Sequence, residues 1–354
     1  MNREQLKTLC ALEGISGREQ AVRAYLQQQL RDLPAVESMT VDPLGNLIVR
    51  VKGQQRAARS VLFSAHMDEV GLIVTDVTDD GYLAVAAVGG VDEAVVFGHA
   101  VRVNGHVGVI GGKAIHQCEG DDRKKVPSID AMLVDIGAAD REQALAIAQP
   151  GDAVLFDSEW TELGDDLCKA KALDDRAGCL LLLELIRRQP KYDMTVSFVT
   201  QEEIGLRGAT VAGYTVQPDI AVVVETTTAA DLAGVSGARQ VCRVGAGPVV
   251  SFMDRRTLYD DELYHRIRSL GDEAGIPTQT KTMVAGGNDA GALQQAAGGV
   301  RVAAVSLPFI SSFSLSTAAW TEDLSLSLSL SPSSFRVFSV WYTVWSAALR
   351  VSTS

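Results

Sequence analysis

Three apolar segments of this chain each end in a histidine or in carboxylate side chains. The segments read SVLFSAHMDEVG at residues 60–71, DMTVSFVTQEEIG at 193–205 and DIAVVVETTT at 219–228. Long apolar runs are typical of strands that are buried on both faces of a parallel sheet. In open α/β sheets, ligands bind at the carboxyl ends of such strands. The pattern therefore predicts an α/β protein with a ligand site built from these strand ends.

Helical segments separate or follow these strands. Apolar residues recur at helical spacing in 174–189 and 260–275, and the apolar segment at 300–308 predicts one more buried strand. Near the N-terminus, Ser16 stands three residues before Glu19, a spacing that predicts a capping box at the start of a helix. This alternation of strands and helices supports the α/β class.

The segment between the first two apolar strands has a different character. Residues 72–163 are rich in valine and glycine, and turns separate many short apolar stretches. This pattern predicts a small β-barrel or sandwich inserted into the α/β domain. A length of 354 residues also favours two domains over one. We therefore expect a discontinuous α/β domain at 1–68 and 166–310, with an inserted β-barrel domain at 69–165.

The C-terminal segment at 311–354 differs in composition from the rest of the chain. Fourteen of its 44 residues are serine, and it holds three of the four tryptophans. The alternating LSLSLSLS within it has the period of a strand, but the helical pattern that should follow a sheet strand is missing. We treat this segment as an atypical tail.

Composition excludes several classes of function. The formal net charge of −12 argues against nucleic-acid binding, which calls for basic patches. Five scattered cysteines without CxxC spacing fit reduced thiols better than a disulfide framework. The polar N-terminus lacks the apolar core of a signal peptide, and no apolar run approaches the roughly 18 residues of a membrane span. We expect a cytoplasmic protein without membrane segments.

The first candidate residues are His66 and Asp68. Residues i and i+2 of a strand point to the same face, so Asp68 can hold one ring nitrogen of His66 while the other nitrogen binds a metal. A capped strand end with a hydrogen-bonded histidine is the alternative. Asp174 and Asp175, just before a helix, likewise fit either a metal site or helix capping.

Three glutamates complete the candidate set. Glu202 and Glu203 are adjacent at a strand end, so one could bind metal while the other moves protons; a solvated acidic loop is the alternative. Glu225 follows five apolar residues, and a buried carboxylate is costly to leave without a partner.

Together these residues deliver several carboxylates and one imidazole to one sheet edge. Divalent ions favour such oxygen and nitrogen ligands, and two ions about 3.5–4 Å apart need a bridging carboxylate. Paired acids also cleave glycosidic bonds, so a glycosidase is a second possibility. The H-x-D pattern favours metal over that alternative.

The motifs, taken in order, resemble one family. H-x-D, then ALDDR, EE-x-G-x-R-G, a strand-end acid followed by threonine, and GG-x-D-A-G are similar to the M42 metallo-aminopeptidases over residues 4–308. The resemblance implies a zinc-peptidase α/β/α catalytic domain of the phosphorylase/hydrolase-like type, with the inserted barrel as a lid or oligomerisation domain. It implies removal of N-terminal residues from short peptides. It also implies two divalent ions per subunit, of zinc, cobalt or manganese, and a homo-oligomer built from dimers, up to a dodecamer.

The resemblance also assigns roles to individual residues. Asp174 would bridge the two metals, and its peptide bond to Asp175 would be cis. Asp289, in the GGNDAG stretch, would support its loop and not bind metal. His66, supported by Asp68, and Glu225 would be ligands of the first metal. Glu203 would be a ligand of the second metal. Glu202 would be the general base that acts on metal-activated water.

One departure limits the resemblance. The last ligand of the family is a histidine shortly after the final core strand, whereas this chain has no histidine beyond His265. The second metal would keep only Asp174 and Glu203. A catalytically impaired or non-catalytic member is therefore an alternative, and His116 could replace the missing ligand only across an oligomer interface.

Overall fold

A computed structural model describes residues 2–120, 125–164, 167–232, 234–235 and 237–310, together with the backbone of 326–329. The chain begins with two helices and three strands. They are α1 (Arg3–Ala11), α2 (Gln20–Leu30), β1 (Val36–Val41), β2 (Leu47–Val51) and β3 (Val61–His66).

Six strands and two short helices follow. They are β4 (Gly71–Val77), β5 (Leu83–Val88), α3 (Glu93–Val96), β6 (Ala100–Val103), β7 (His106–Gly111), β8 (Leu133–Asp135), α4 (Arg141–Ile147) and β9 (Ala153–Phe156). The strands close into a barrel in the order β4–β5–β8–β7–β6–β9, with its own apolar core.

The remainder returns to α/β structure. It contains β10 (Thr161–Leu163), β11 (Leu167–Ala170), α5 (Leu173–Arg187), β12 (Met194–Val199), α6 (Arg207–Val216), β13 (Ile220–Thr228), β14 (Val249–Val250), α7 (Asp261–Glu273), β15 (Gln279–Thr280), α8 (Ala290–Leu293), β16 (Arg301–Ile310) and β17 (Leu326–Ser329).

The described residues form an eleven-stranded sheet whose centre is parallel. Its main order is β1–β2–β12–β3–β13–β16–β17–β11–β10. Strands β12, β3, β13 and β16 run in parallel, with Val199 opposite His66 and Glu225 opposite Ser306. The apolar segments identified in the sequence therefore end at one edge. The predicted α/β fold with an inserted barrel is confirmed.

Alternating side chains of the central strands build a core on each face of the sheet. Phe63 and Val222 pack with α1, α2 and α5 on one face, whereas Leu62 and Val223 pack with α6 and α8 on the other. Because both faces are covered, the strands tolerate few polar residues until they reach the edge. This is why the sequence changes so abruptly from apolar to charged.

The predicted capping box at Ser16 is wrong. Helix α2 begins at Gln20, and its N-cap residue Glu19 makes no side-chain cap hydrogen bond. The Ser16 hydroxyl instead donates to Asp68 Oδ2 at 2.6 Å, and Glu19 Oε1 accepts from the N–H of Gln201 at 3.1 Å. Both residues are used by tertiary contacts near the strand ends, which outweigh local capping.

Asp260 joins α7 to β16. Its Oδ1 caps the helix by accepting from Leu263 N at 3.0 Å, and both carboxylate oxygens accept from Arg301 at 2.7 Å. Asp260→Ala is expected to lower the free energy of unfolding by about 1–2 kcal/mol. Asp260→Asn keeps a cap oxygen and should cost less than Asp260→Ala, because it removes the charge of the partly buried pair with Arg301 but leaves the cap. Urea unfolding at neutral pH measures both, and equal losses would contradict the capping role.

The same variants predict a pH dependence. The Arg301 guanidinium holds the pKa of Asp260 below its ordinary value. A carboxyl whose pKa is depressed in the folded state adds stability above its unfolded pKa of about 3.9, and that stability is lost as the pH falls through the folded value. The difference between wild type and Asp260→Asn should therefore shrink in acid.

No helix among the described residues is long and apolar enough to cross a membrane.

Candidate metal centre

The candidate residues meet at the carboxyl edge of the sheet. His66 ends β3, Glu225 lies in β13, Glu202 and Glu203 follow β12, and Asp174 lies at the start of α5. All five line one cavity of about 270 Å³. The remaining wall residues come mainly from β13, β16 and the segment 281–288, and they are Thr226, Thr227, Thr228, Val241, Lys281, Ala285, Gly286, Gly287, Asn288, Ser306 and Phe309.

His66 lies at the centre of the cluster and is buried. Its Nε2 is 3.2 Å from Asp174 Oδ1 and 3.2 Å from Glu225 Oε1. Its Nδ1 is 3.1 Å from the backbone oxygen of Asp68. A carbonyl oxygen only accepts, so Nδ1 carries the hydrogen and Nε2 is free to bind a cation.

Asp68 supports two parts of the site. Its Oδ1 is 3.5 Å from His66 Nδ1 and accepts from Glu202 N at 3.0 Å, while Oδ2 accepts from Glu203 N at 3.1 Å and from the Ser16 hydroxyl. Burial raises the pKa of Asp68, but its hydrogen bonds and the charge of His66 outweigh burial and lower it. The backbone oxygen of Asp68 thus orients the histidine, while the ionised carboxylate lies beside the ring and holds the backbone of both glutamates.

Burial makes ionisation of the neighbouring acids costly. Burial, reinforced by Asp174, raises the pKa of Glu203 to about 8, and burial raises the pKa of Glu225 to about 7. Burial also raises the pKa of Glu202 well above its ordinary value. For His66, burial opposes protonation, but the nearby carboxylates outweigh it and raise its pKa well above the usual value. Such a cluster favours a bound cation, because a cation removes the repulsion between the carboxylates.

The donor atoms fit a divalent ion. Two groups of side chains each hold their ligand atoms within 4.8 Å of one another. One group is His66 with Asp174 and Glu225, and the other is His66 with Glu202 and Glu203. Glu225 Oε2 is buried without a hydrogen-bond partner in the described structure, as expected for an oxygen that faces a ligand. One imidazole with carboxylates is a set that zinc, cobalt and manganese accept.

A buried ion-pair network of Glu69, Lys171 and Arg176 lies next to the site and was not predicted from the sequence. Glu69 Oε1 accepts from Lys171 Nζ at 2.8 Å and from Arg176 Nη2 at 3.1 Å. Arg176 also donates to the backbone oxygens of Met67 and Leu9, at 2.8 and 2.6 Å. Glu69, which could be read as a local polar residue, thus ties β3 to the start of α5. An arginine directly after ALDD, at the start of an apolar helix, was the signal available.

The start of α5 has unusual backbone geometry. The peptide bond between Asp174 and Asp175 is cis, as the resemblance implied. Asp175 is fully buried, and its Oδ1 accepts from Gly178 N at 2.9 Å. Asp174, by contrast, has a side chain that is 30% exposed and faces the cavity. The two adjacent acids therefore have separate tasks, one inside the helix and one in the site.

Asn46 packs against Gly208, the glycine that ends the EE-x-G-x-R-G motif. This fully buried side chain follows the Pro-Leu-Gly turn and accepts from Thr200 N at 2.9 Å while donating to Gly208 O at 2.9 Å. A Cβ on Gly208 would overlap the backbone oxygen of Thr200. Glycine is therefore required where the loop carrying the glutamates turns into α6.

The resemblance implied that Asp289 supports its loop, but in the structure the neighbouring Asn288 makes the side-chain hydrogen bond within this loop. Asn288 Oδ1 accepts from Ala290 N at 2.9 Å. The Tyr259 hydroxyl donates its one hydrogen to Asp254 Oδ2 at 2.6 Å, and Asn288 Oδ1 lies 3.3 Å from the same hydroxyl. Both carboxylate oxygens of Asp289 are buried without a hydrogen-bond partner in the described residues, and burial raises its pKa well above the usual value.

An α/β sheet edge with this buried imidazole and carboxylate cluster is typical of metal-dependent hydrolases. Comparison with known proteins makes the assignment specific. Residues 45–330 match the profile of M42 glutamyl aminopeptidase, and this chain belongs to the M42 peptidase family. The match extends beyond Pro308, where the resemblance of the motifs ended.

Individual relatives agree with this assignment. The glutamyl aminopeptidase of Lactococcus lactis is 30% identical over 311 residues, which are 84% of this chain and 85% of that protein. The structure of a TET aminopeptidase from the archaeon Thaumarchaeota archaeon SCGC AB-539-E09 superposes with a TM-score of 0.86 at 29% identity, covering 97% of this chain and 94% of that one. The TET1 peptidase of Pyrococcus horikoshii gives a TM-score of 0.80 at 28% identity, covering 96% and 98%.

Proposed function

We propose that the chain is a metal-dependent aminopeptidase that removes N-terminal residues from short peptides. The observation that carries the proposal is the convergence of His66, Asp174 and Glu225 beside Glu202 and Glu203 in one cavity. Membership of the M42 family supports the same reaction.

The residues of the cavity would have separate roles in metal binding and proton transfer. His66, Asp174 and Glu225 would hold a divalent ion, and Glu203 with Asp174 would face a second one, as in the family resemblance. When bound, such an ion polarises the substrate carbonyl and lowers the pKa of a coordinated water. Glu202 takes the proton from the attacking water and delivers it to the departing amine; burial raises its pKa, and a raised pKa strengthens a carboxylate as a base. Asp68 keeps His66 and the backbone of Glu202 in place.

A catalytically impaired chain and a glycosidase are the alternatives from the sequence. An assay of aminoacyl-4-nitroanilide hydrolysis tests both, after chelation and after addition of Zn²⁺, Co²⁺ or Mn²⁺. We expect turnover that depends on added metal. Full activity in the presence of chelator would contradict a metal mechanism, and cleavage of aryl glycosides alone would favour the glycosidase.

The domain organisation and assembly are part of the proposal. We assign residues 1–68 and 166–310 to the catalytic domain and place the inserted barrel within 69–165. Its closed strands run from Gly71 to Phe156, and β10 (Thr161–Leu163) already pairs with β11 in the large sheet. The Pyrococcus horikoshii TET1 peptidase can assemble into a tetrahedron or a large octahedral shell. By analogy, we propose a homo-oligomer of dimers, in the cytoplasm, and sedimentation velocity would test the assembly.

Lys281 introduces a cation into the cavity wall. Its Nζ donates to Ala285 O at 3.0 Å, and burial lowers the pKa of this half-buried amine. The remaining ammonium hydrogens suit an anionic side chain on the N-terminal residue of the substrate. Lys281→Met is expected to lower kcat/KM for glutamyl-4-nitroanilide by about tenfold or more relative to leucyl-4-nitroanilide, because a hydrogen bond to a charged group contributes about 1.5–3 kcal/mol.

A matched control for this variant is Lys191→Met. Lys191 lies over the Tyr192 ring, 5.1 Å from its centroid, and is not among the cavity-lining residues. That variant should leave the ratio of the two substrates unchanged. An unchanged ratio in Lys281→Met itself would remove Lys281 from substrate selection.

A further inference from the structure

Both groups of possible metal ligands depend on the same histidine. One group joins His66 to Asp174 and Glu225, and the other joins His66 to Glu202 and Glu203. The described residues contain no further such group. Two ions can each have a nitrogen ligand only if a second imidazole reaches the site.

His66 supplies a single nitrogen. Its Nδ1 lies 3.1 Å from the Asp68 backbone oxygen and 3.5 Å from Asp68 Oδ1, and these contacts use the hydrogen on that nitrogen. Only Nε2 faces the cavity acids. Because one lone pair binds one ion, the two groups are alternatives and are not two independent sites.

No other histidine of the chain is near. The chain has five histidines, and the structure describes all of them. His99 and His106 belong to the barrel segment, and His116 is exposed in a short 3₁₀ turn of the same segment. His265 is exposed on α7 and lies 3.4 Å from Asp261. None of these four lines the cavity.

The second position therefore has oxygen ligands alone. Among the residues that the structure describes, Asp174 and Glu203 are the side chains left for it once His66 and Glu225 hold the first ion and Glu202 moves protons. Catalytic zinc sites use three protein ligands, usually including histidine, whereas oxygen ligands alone suit manganese or magnesium. An ion at this position would bind more weakly than the first and would be lost on dilution.

We infer that each chain binds one divalent ion tightly, on His66 Nε2 with Asp174 and Glu225, instead of a tightly bound pair. The inference rests on the proposed metal-dependent function and specifies its metal content. The first group is chosen because Nε2 lies at the same distance, 3.2 Å, from a carboxylate oxygen of each partner.

Metal content is the direct test. The full-length protein is treated with chelator, incubated with excess Zn²⁺, desalted, and analysed for zinc by mass spectrometry. We expect about one zinc per chain in wild type and in Glu203→Gln, and loss of most of it in His66→Ala and Glu225→Gln. Circular dichroism confirms that each variant is folded. A zinc content near two or near zero in wild type would overturn the inference, as would loss of zinc in Glu203→Gln with retention in Glu225→Gln.

A histidine from a neighbouring subunit is tested separately. His116→Ala should leave the zinc content at about one. A wild-type content near two that falls to one in His116→Ala would show that a partner chain completes a second site, and the inference would be wrong.

The metal assignment and the proposed function can be contradicted separately. Two zinc ions per chain with aminopeptidase turnover would contradict the single tight ion and leave the proposed function intact. One zinc per chain without hydrolysis of any aminoacyl-4-nitroanilide would contradict the proposed function and leave the metal assignment intact.

Discussion

Replacing Glu202 with glutamine is expected to lower kcat for aminoacyl-4-nitroanilide hydrolysis by about 10²- to 10⁴-fold. Glutamine keeps the size of the side chain but neither takes nor delivers a proton at neutral pH. The backbone N–H of this residue donates to Asp68 Oδ1 at 3.0 Å, and the substitution leaves that contact in place. The loss should therefore fall on kcat with little change in KM.

Two controls separate a chemical role from a structural one. Glu142→Gln changes an exposed glutamate on α4 of the barrel and should retain full activity. The zinc content of Glu202→Gln should equal that of wild type, since Glu202 lies outside the group of His66, Asp174 and Glu225. If Glu202→Gln keeps strong turnover, another group moves the proton and the proposed mechanism is wrong.

The sheet could be predicted because strands that are buried on both faces are continuous apolar segments in the sequence. Strands β3, β12, β13 and β16 are apolar until the edge, so their positions and their polar ends were recognisable. Helices α5 and α7 were likewise predicted from apolar spacing. The barrel segment was recognised from its short valine-rich strands, although sequence alone left barrel and sandwich open.

The supporting contacts could not be predicted, because they join residues far apart in the chain. Ser16 and Asp68 are 52 residues apart, and Asp68 and Glu202 are 134 residues apart. Local rules assigned Ser16 to a helix cap, whereas the folded chain uses its hydroxyl to hold a carboxylate at the site. Arg176 had no separate sequence signal beyond its place beside the acids, yet it is fully buried.

Glu69→Gln is expected to lower the free energy of unfolding by about 3–5 kcal/mol, because removing one partner leaves a buried charge uncompensated. The Arg176 side chain is fully buried, and those of Lys171 and Glu69 are 13% and 6% exposed. Without the carboxylate, two cations remain side by side in the interior. Urea unfolding followed by circular dichroism measures the loss.

The exposed pair of Glu262 with Arg301 provides the matched control. The Glu262 side chain is 57% exposed, and its Oε2 accepts from Arg301 Nη2 at 2.7 Å. Glu262→Gln should cost less than about 1 kcal/mol, since water screens exposed ion pairs. Equal losses in the two variants would show that burial does not set the strength of the Glu69 network.

A triple variant then distinguishes charge from shape. Replacing Glu69 with leucine and both Lys171 and Arg176 with methionine removes all three charges, and apolar replacements of buried ion pairs are often neutral or stabilising. It should recover a large part of the stability lost in Glu69→Gln. However, Arg176 also donates to Met67 O and Leu9 O, and these bonds fix β3 and α1 beside the helix that presents Asp174. We therefore expect the triple variant to recover stability but to bind zinc less tightly than wild type, because the network positions the metal ligands as well as stabilising the fold.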